Sequence, residues 1–492
     1  MLLYFALVVI FFLATTARVT EVNQTLEEAL SWHIQSETVL KHGQSAYKDS
    51  ISKIYGVNAG GWLLTEPWIT PSLYEKVNDL FGSMPKDEYA MNLFIGNKDL
   101  SKRYFEAHWK SFYTEEDFKQ ISEMDLNLVR IPIGYWAFQL LPKDPYCQGQ
   151  ERYLDSAIDW AEKYGLKVQI GLHGLPGSQN GFDNSGLTAT SPKWLEDDAN
   201  IDLTHRVVDY IFTKYGNNTN VHSIQVANEP LGPVLDKSKL VEFYSKCLSL
   251  ATEKNISAKL AFHDAFLDME AWKTFYPGKF ILDHHFYEVF TDWQLKLDLK
   301  GHLENVRDQG EKLSRTKHRS IVGEFSGALT DCAPYLNGIG NGARWDGTFL
   351  LEARGTCYGR DDPNNLTFKN ETMMFLREQF YTYETKGGGW IFWCYKTERS
   401  LDWDMRRLHK LKMLPEPLYL SKEVYKMDIN DDGFDNDNSL ADGPGRRSDF
   451  FIPHPRIFWG RYRLRGRSGS SGLKVNRITW VFALFITVSF SI

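Results

Sequence analysis

The sequence predicts a closed (β/α)8 barrel. Three observations point there: eight short apolar runs, amphipathic helical stretches between them, and polar residues gathered where the runs end. The runs are near-continuous and rich in β-formers, as strands buried on both faces read. In order they are Tyr55–Asn58 (YGVN), Asn127–Ile133 (NLVRIPI), Leu166–Leu172 (LKVQIGL) and Ser223–Asn228 (SIQVAN). They continue with Lys259–His263 (KLAFH), Lys279–His285 (KFILDHH), Ser320–Phe325 (SIVGEF) and Gly389–Tyr395 (GWIFWCY). Helical patterns fill the gaps, among them Gln150–Gly165 and Asp202–Gly216, each ending at glycine, a preferred helix stop. Strands alternating with helices call for a parallel sheet, and eight such units close into a barrel.

The flanks divide the chain further. Residues 1–17 form an apolar run ending in small residues, which reads as a secretory signal peptide; an uncleaved anchor is the competing reading. Residues 18–47 are a polar lead-in, and the barrel domain spans 48–425. Residues 426–477 are acidic and then Gly/Ser/Arg-rich, a stalk composition. Within them Asp428, Asn430, Asp432 and Gly433 match the first half of a calcium loop, but Ser439 stands where its bidentate Glu belongs. Residues 478–492 are an uncharged apolar tail behind a small-residue cluster, Ser468 to Gly472. That order is the pattern of a GPI-anchor signal, with a tilted membrane span as its competitor. Asn-x-Ser/Thr acceptors at Asn23, Asn217, Asn255, Asn365 and Asn370 fit the same secretory route, ending at the plasma membrane or cell wall.

Composition narrows the function classes. A net charge of -7 supplies no global positive field for a nucleic-acid partner. Aromatic residues make up 14% of the chain, which suits sugar faces and core packing alike. Cysteines are five, and Cys332 with Cys357 flanks a Gly-rich loop, which favours that pair for a disulfide. No C-x-x-C pair or His-x-x-x-His cluster marks a structural zinc; no metal or organic cofactor is expected for the two-carboxylate chemistry read below. Nothing in the chain marks an oligomer, and a monomer is expected.

Function on this fold sits at the C-terminal ends of the strands. Those ends carry His173, Asn228 with Glu229, His285 with Tyr287, Glu324 and Trp393. Glu229 and Glu324 close the fourth and seventh runs, about three βα units apart, and would face each other across the barrel mouth. Hydrolysis of a glycosidic bond needs such a pair, one to protonate the leaving oxygen and one to attack carbon or activate water. A carboxylate closing an apolar strand is held near a low-dielectric core and must be paired or functional.

The chain resembles the fungal exo-β-1,3-glucanases of glycoside hydrolase family 5. The segments that carry the resemblance are GVNAGGWLLTEPWITPSLYE (Gly56–Glu75), NLVRIPIGYWAFQLL (Asn127–Leu141), GLHGLPGSQNGFDNSG (Gly171–Gly186) and NEPLGP (Asn228–Pro233). DHHFYEVF (Asp283–Phe290), GEFSGALTDC (Gly323–Cys332) and GWIFWCYKTE (Gly389–Glu398) complete the series in order. The resemblance implies that Glu229 is the general acid/base and Glu324 the nucleophile of a retaining enzyme. It implies that Asn228 bonds the sugar 2-hydroxyl, that Arg130 keeps Glu324 ionised and that Tyr287 hydrogen-bonds the nucleophile. His173 and His285 match active-site histidines that act as hydrogen-bond donors. Glu66 matches a carboxylate that holds non-reducing-end hydroxyls, and Trp393 a platform under the first glucose. Phe182 and Phe290 match aromatic walls at the pocket entrance.

Departures from the family pattern are Phe286, Phe325 and the stretch Trp393-Cys394-Tyr395-Lys396. A cysteine common in the family after Leu420 is missing, which leaves the family's long-range disulfide open. The expected activity is release of glucose from non-reducing ends of β-1,3-glucan polysaccharide or oligosaccharide, in cell-wall metabolism. Its alternatives are a β-glucosidase on β-1,6- or β-1,4-glucan or a glucosylated lipid, a wall transglucosidase, and an anchored glucan-binding protein.

Overall fold

The computed structural model describes residues 52–415 and Leu418. The expected signal peptide, lead-in, stalk, calcium-like segment and apolar tail, with Asn23, lie outside the described residues. All eight expected strands form: β1 (Ile54–Asn58), β2 (Leu128–Gly134), β3 (Lys167–Gly174), β4 (Val221–Gln225), β5 (Lys259–His263), β6 (Ile281–His285), β7 (Arg319–Glu324) and β8 (Gly389–Phe392). Each pairs in parallel with the next, and β8 returns to β1 to close the barrel.

Side chains alternate along a strand, so the barrel interior climbs in steps of two residues. At its lower end Ile54, Leu128, Ala261, Ile281, Ile321 and Ile391 form one apolar cluster. Two residues further along β2, β5, β6 and β7 stand Arg130, His263, Asp283 and Gly323, all buried. Apolar filling therefore gives way to a charged layer beneath the rim. A Cβ at Gly323 would lie 2.0 Å from Asp283 Oδ1, so glycine there makes room for a carboxylate.

The structure departs from expectation at four places. The fourth strand stops at Gln225, so Asn228 and Glu229 occupy the loop beyond it. The expected helix from Asp202 begins at Asp198, because Asp197 caps it by accepting from the Ala199 backbone N–H. Its terminal Gly216 has φ −60° rather than a left-handed turn. The glycine serves close approach instead, since a Cβ would meet Ile256 and the Phe212 carbonyl at 2.4 Å. Finally, β5 and β6 are joined through a 3-10 turn, Met269–Trp272, with no α-helix. In contrast, four helices (Pro71–Phe81, Glu88–Ile95, Lys98–Phe112 and Glu115–Glu123) fill the β1–β2 connection.

Cys332 and Cys357 form the expected disulfide, with Cα atoms 5.3 Å apart. Cys147, Cys247 and Cys394 are buried free thiols. Among the described residues no helix is long and apolar enough to cross a membrane.

Candidate active site

The rim above the charged layer gathers the expected residues. Glu324 is the last residue of β7, and Glu229 lies four residues beyond β4. Glu229 is held at φ +49°, in the left-handed region. Such a backbone costs a non-glycine residue about 1–3 kcal/mol and persists where the surroundings over-determine it, most often at a functional site. Asn228 anchors the turn by donating its backbone N–H to the Leu172 carbonyl at 3.0 Å.

One imidazole faces both carboxylates. His285 Nδ1 lies 2.8 Å from Glu229 Oε1 and 3.4 Å from Glu324 Oε2. The ring therefore keeps the two carboxylates on the same side of the barrel mouth. Asn184 Nδ2 donates to the other Glu229 oxygen at 2.7 Å. On the opposite side Arg130 Nη1 donates to Glu324 Oε1 at 2.7 Å, and the Tyr287 hydroxyl donates to Oε2 at 3.0 Å.

Arg130 is fully buried and spends its whole fork. Nη1 also donates to Asn58 Oδ1, while Nη2 donates to Gln225 Oε1 and Asn228 Oδ1, each at 2.6 Å. The guanidinium thus fixes the nucleophile candidate and the Asn228 amide in one plane of bonds. Burial pushes the Glu324 carboxyl up; His285 and Arg130 pull it down, and it settles at about 7. Arg130 favours the ionised form as expected, but burial outweighs it. For His285 burial opposes the charge, yet Glu324 and Asp283 outweigh burial and raise the ring to about 10. Burial holds His173 well below its ordinary value, which makes that ring neutral.

Trp393 forms the floor. Its ring stacks on His173, with centroids 5.4 Å apart and planes 12° apart. Gly60 lies against the indole, where a Cβ would stand 3.0 Å from it. The Trp393–Cys394 peptide bond is cis. At the far wall Glu66 accepts from Trp68 Nε1 at 2.9 Å. Burial, reinforced by Asp183, pushes Glu66 well above the usual carboxylate range. Burial pushes Asp183 itself up to about 7. At the mouth Phe290 is 41% exposed and meets Tyr287 edge-on at 5.5 Å. Phe182 is half-buried and adjoins Asp183 and Asn184 on one loop.

Sequence reasoning missed Asp183, Asn184, Trp68, Gln225 and Asp283. The first two lie in the same recognised segment as Phe182, and Asp283 precedes His285 by two residues, which places both on one strand face. Of the departures from the family pattern, Trp393 lines the site, while Phe325, Phe286 and Cys394 pack elsewhere. Phe325 meets Phe380, Tyr383 and Phe392 edge-on behind β7. Phe286 lies beside His284 with ring centroids 6.0 Å apart, and Cys394 Sγ donates to the Lys396 carbonyl at 3.3 Å.

Among the described residues one group has the make-up of a cation site. Glu229, His263 and His285 each present a ligand atom, all within 4.8 Å of one another. A metal there would first have to displace a proton from His285, because a ligating imidazole is neutral.

Residues 95–337 match the family model Cellulase (glycosyl hydrolase family 5). The glucan 1,3-beta-glucosidase of Lachancea kluyveri is 42% identical over 398 residues, covering 77% of this chain and 90% of the relative. The glucan 1,3-beta-glucosidase I/II of Saccharomyces cerevisiae is 44% identical over 387 residues, covering 74% and 85%. Among solved structures, the rutinosidase from Aspergillus niger superimposes with a TM-score of 0.59 at 18% identity, covering 75% of this chain and 99% of that one. That likeness concerns the fold alone.

Proposed function

The chain belongs to glycosyl hydrolase family 5, and we propose that it is a retaining exo-glucosidase that releases glucose from the non-reducing ends of β-1,3-glucan. The observation that carries this reading is the single imidazole within 2.8 Å of Glu229 and 3.4 Å of Glu324. One imidazole reaching both carboxylates keeps them close together, which supports direct attack on carbon by the second carboxylate.

Glu324 is the nucleophile, because the buried Arg130 cation sits on it and favours its ionised form. Its oxygen attacks the anomeric carbon as the glycosidic C–O bond breaks. Glu229 gives its proton to the leaving oxygen, and a glycosyl ester on Glu324 remains. Glu229, now a base, takes a proton from water; the water oxygen attacks the same carbon and frees Glu324. Asn228, held by Arg130, is placed to bond the 2-hydroxyl, a contact that strengthens in the transition state.

The wall of Glu66, Trp68 and Asp183 supports the exo mode. Protonated carboxyls there both donate to and accept from hydroxyls of a terminal sugar. Trp393 supports the ring face, and Phe182 and Phe290 flank the next glucose. The relatives' name supports the 1,3-linkage. The same reading makes the enzyme a wall-directed secreted monomer, carried by a signal peptide and held by a lipid anchor. Exposed acceptors at Asn217, Asn255, Asn365 and Asn370, and a disulfide, support passage through an oxidising route.

The test is digestion of laminarin, a β-1,3-glucan, with chromatography of the earliest products. Glucose alone supports the reading. Mixed oligosaccharides overturn the exo mode, and products longer than the starting chains would indicate transfer.

A further inference from the structure

Glu88 takes no part in the mechanism above, yet its side chain is wholly buried and every bond it makes is accounted for. Oε2 accepts from the Thr65 backbone N–H at 2.8 Å and from the Thr65 hydroxyl at 3.1 Å. Oε1 accepts from Trp136 Nε1 at 3.0 Å. Thr65 directly precedes Glu66, the carboxyl at the far wall of the pocket, and the backbone on both sides of Glu66 is held. The Tyr74 hydroxyl donates to the Thr65 carbonyl at 3.0 Å, and the Thr70 N–H donates to the Glu66 carbonyl at 3.0 Å. Tyr74 and Thr70 belong to the same stretch of chain as Glu66. Glu88 ties that stretch to another helix, Glu88–Ile95.

The far end of the tie does not yield. Trp136 stacks on Tyr146, with centroids 4.1 Å apart and planes 4° apart. Gly134, Gly174 and Gly186 press on the indole, where a Cβ on any of them would come within 2.5 Å. The neighbours of Glu88 hold the loop that carries Asp183 and Asn184. Asp87 accepts from the Thr188 N–H at 2.7 Å, and the Tyr89 N–H donates to the Gly186 carbonyl at 2.9 Å. The start of one helix therefore fastens both loops that form the far wall.

We propose that Glu88 is a positioning residue for Glu66, fixing the backbone from which the Glu66 carboxyl meets a terminal sugar. The inference rests on the proposed exo-glycosidase reading of that wall. Among the described residues no lysine, arginine or histidine pairs with Glu88. Burying a carboxyl without a cation costs more than burying an apolar side chain of like volume. Stability alone would favour the apolar residue. What the carboxyl supplies is two accepting oxygens in one plane, one on the chain beside Glu66 and one on the wedged indole. Glutamine fits the same space, but its amide nitrogen cannot accept, so one of those two ends faces a donor instead.

The test is a double-mutant cycle between Glu66 and Glu88 on para-nitrophenyl β-glucoside, a substrate with a terminal glucose and no glucan linkage. Each variant is assayed well below its own melting temperature, so that only folded enzyme is compared. Glu88→Gln is expected to lose about tenfold in kcat/KM. In the Glu66→Ala background the same change is expected to cost less than about twofold, because the group it acts through is gone. An equal loss in both backgrounds is what a purely structural role gives, and it overturns the proposal. So does a Glu88→Gln enzyme with wild-type kcat/KM. If Glu88→Gln does not fold, Thr65→Val takes its place in the cycle, since it removes only the hydroxyl bond to Glu88 Oε2 and nearly keeps the shape. Its expected loss is about threefold, absent in the Glu66→Ala background, and additive losses again overturn the proposal. Failure of the glycosidase reading shows separately, in the wild-type enzyme, as an unhydrolysed glucoside.

Discussion

Arg130 and Glu324 meet inside the barrel at 2.7 Å, 194 positions apart in the chain and both almost without solvent contact. Removing one partner of such a pair strands the other as an uncompensated buried charge, at about 3–5 kcal/mol. Arg130→Met is expected to lower the melting temperature and to cut kcat/KM by roughly 100-fold or more. It also raises the Glu324 carboxyl further, so the acidic limb of the rate profile moves to higher pH. A variant with an unmoved acidic limb would show that Arg130 does not tune the nucleophile.

The pH dependence of stability follows from Glu324. Burial holds its folded carboxyl at about 7, above the ordinary carboxylate value of about 4.5. The folded state therefore binds this proton more tightly than the unfolded chain does. Its contribution is favourable below about 4.5 and is lost as pH rises through about 7. Glu324→Gln removes the titration. The melting temperature of the variant relative to wild type is expected to rise from pH 5 to pH 8 in calorimetry. A constant difference across that range contradicts the raised carboxyl.

Glu324→Ala is expected to abolish hydrolysis, by roughly 10⁴-fold or more, with the barrel still folded but melting lower because Arg130 loses its counter-charge. Azide should enter the space left by the carboxylate and restore turnover, giving the α-glucosyl azide. Glu229→Ala should keep its first step on aryl glucosides with good leaving groups, which need no proton, and stall at the ester. Rescue of the two variants in the opposite sense would reverse the roles.

Glu66 is pushed well above the usual carboxylate range and accepts from Trp68. Glu66→Gln keeps both a donor and an acceptor, so a loss in kcat/KM within about tenfold is expected. Glu66→Ala leaves sugar hydroxyls unpaired and opens the wall, with a loss of about 10–100-fold and longer products from laminarin. Equal effects of the two changes would mean that Glu66 acts only as filler.

The Cys332–Cys357 bridge closes 25 residues of the long loop between β7 and β8. Constraining a loop of that size stabilises by about 3 kcal/mol. Cys332→Ser with Cys357→Ser is expected to melt several degrees lower, with barrel strands unchanged by circular dichroism. An unaltered melting temperature would mean the bridge is dispensable.

The barrel was legible because strands buried on both faces leave unbroken apolar runs, and all eight are found. Edges were less legible. At β4 the apolar letters continue to Asn228, but the hydrogen-bonded ladder ends at Gln225, because the chain must turn there to hold Glu229 at positive φ. The carboxylate pair and His285 were readable from their place at strand ends; Arg130, the third residue of β2 and so below the rim, came from the resemblance. Gln225 and Asp283 were not, since a polar residue inside a barrel looks from its neighbours like any polar position, and only the closed ladder turns it inward. Asp183 and Asn184 sit on a loop, where no periodicity marks which side chains face the pocket.

The central claim is that Glu324 attacks carbon and Glu229 supplies the proton. Proton NMR of the anomeric signal during early laminarin hydrolysis tests it most directly. β-Glucose appearing first, before mutarotation, is the predicted result, because two displacements restore the original configuration. α-Glucose appearing first would mean a single displacement by water and would contradict a nucleophilic Glu324.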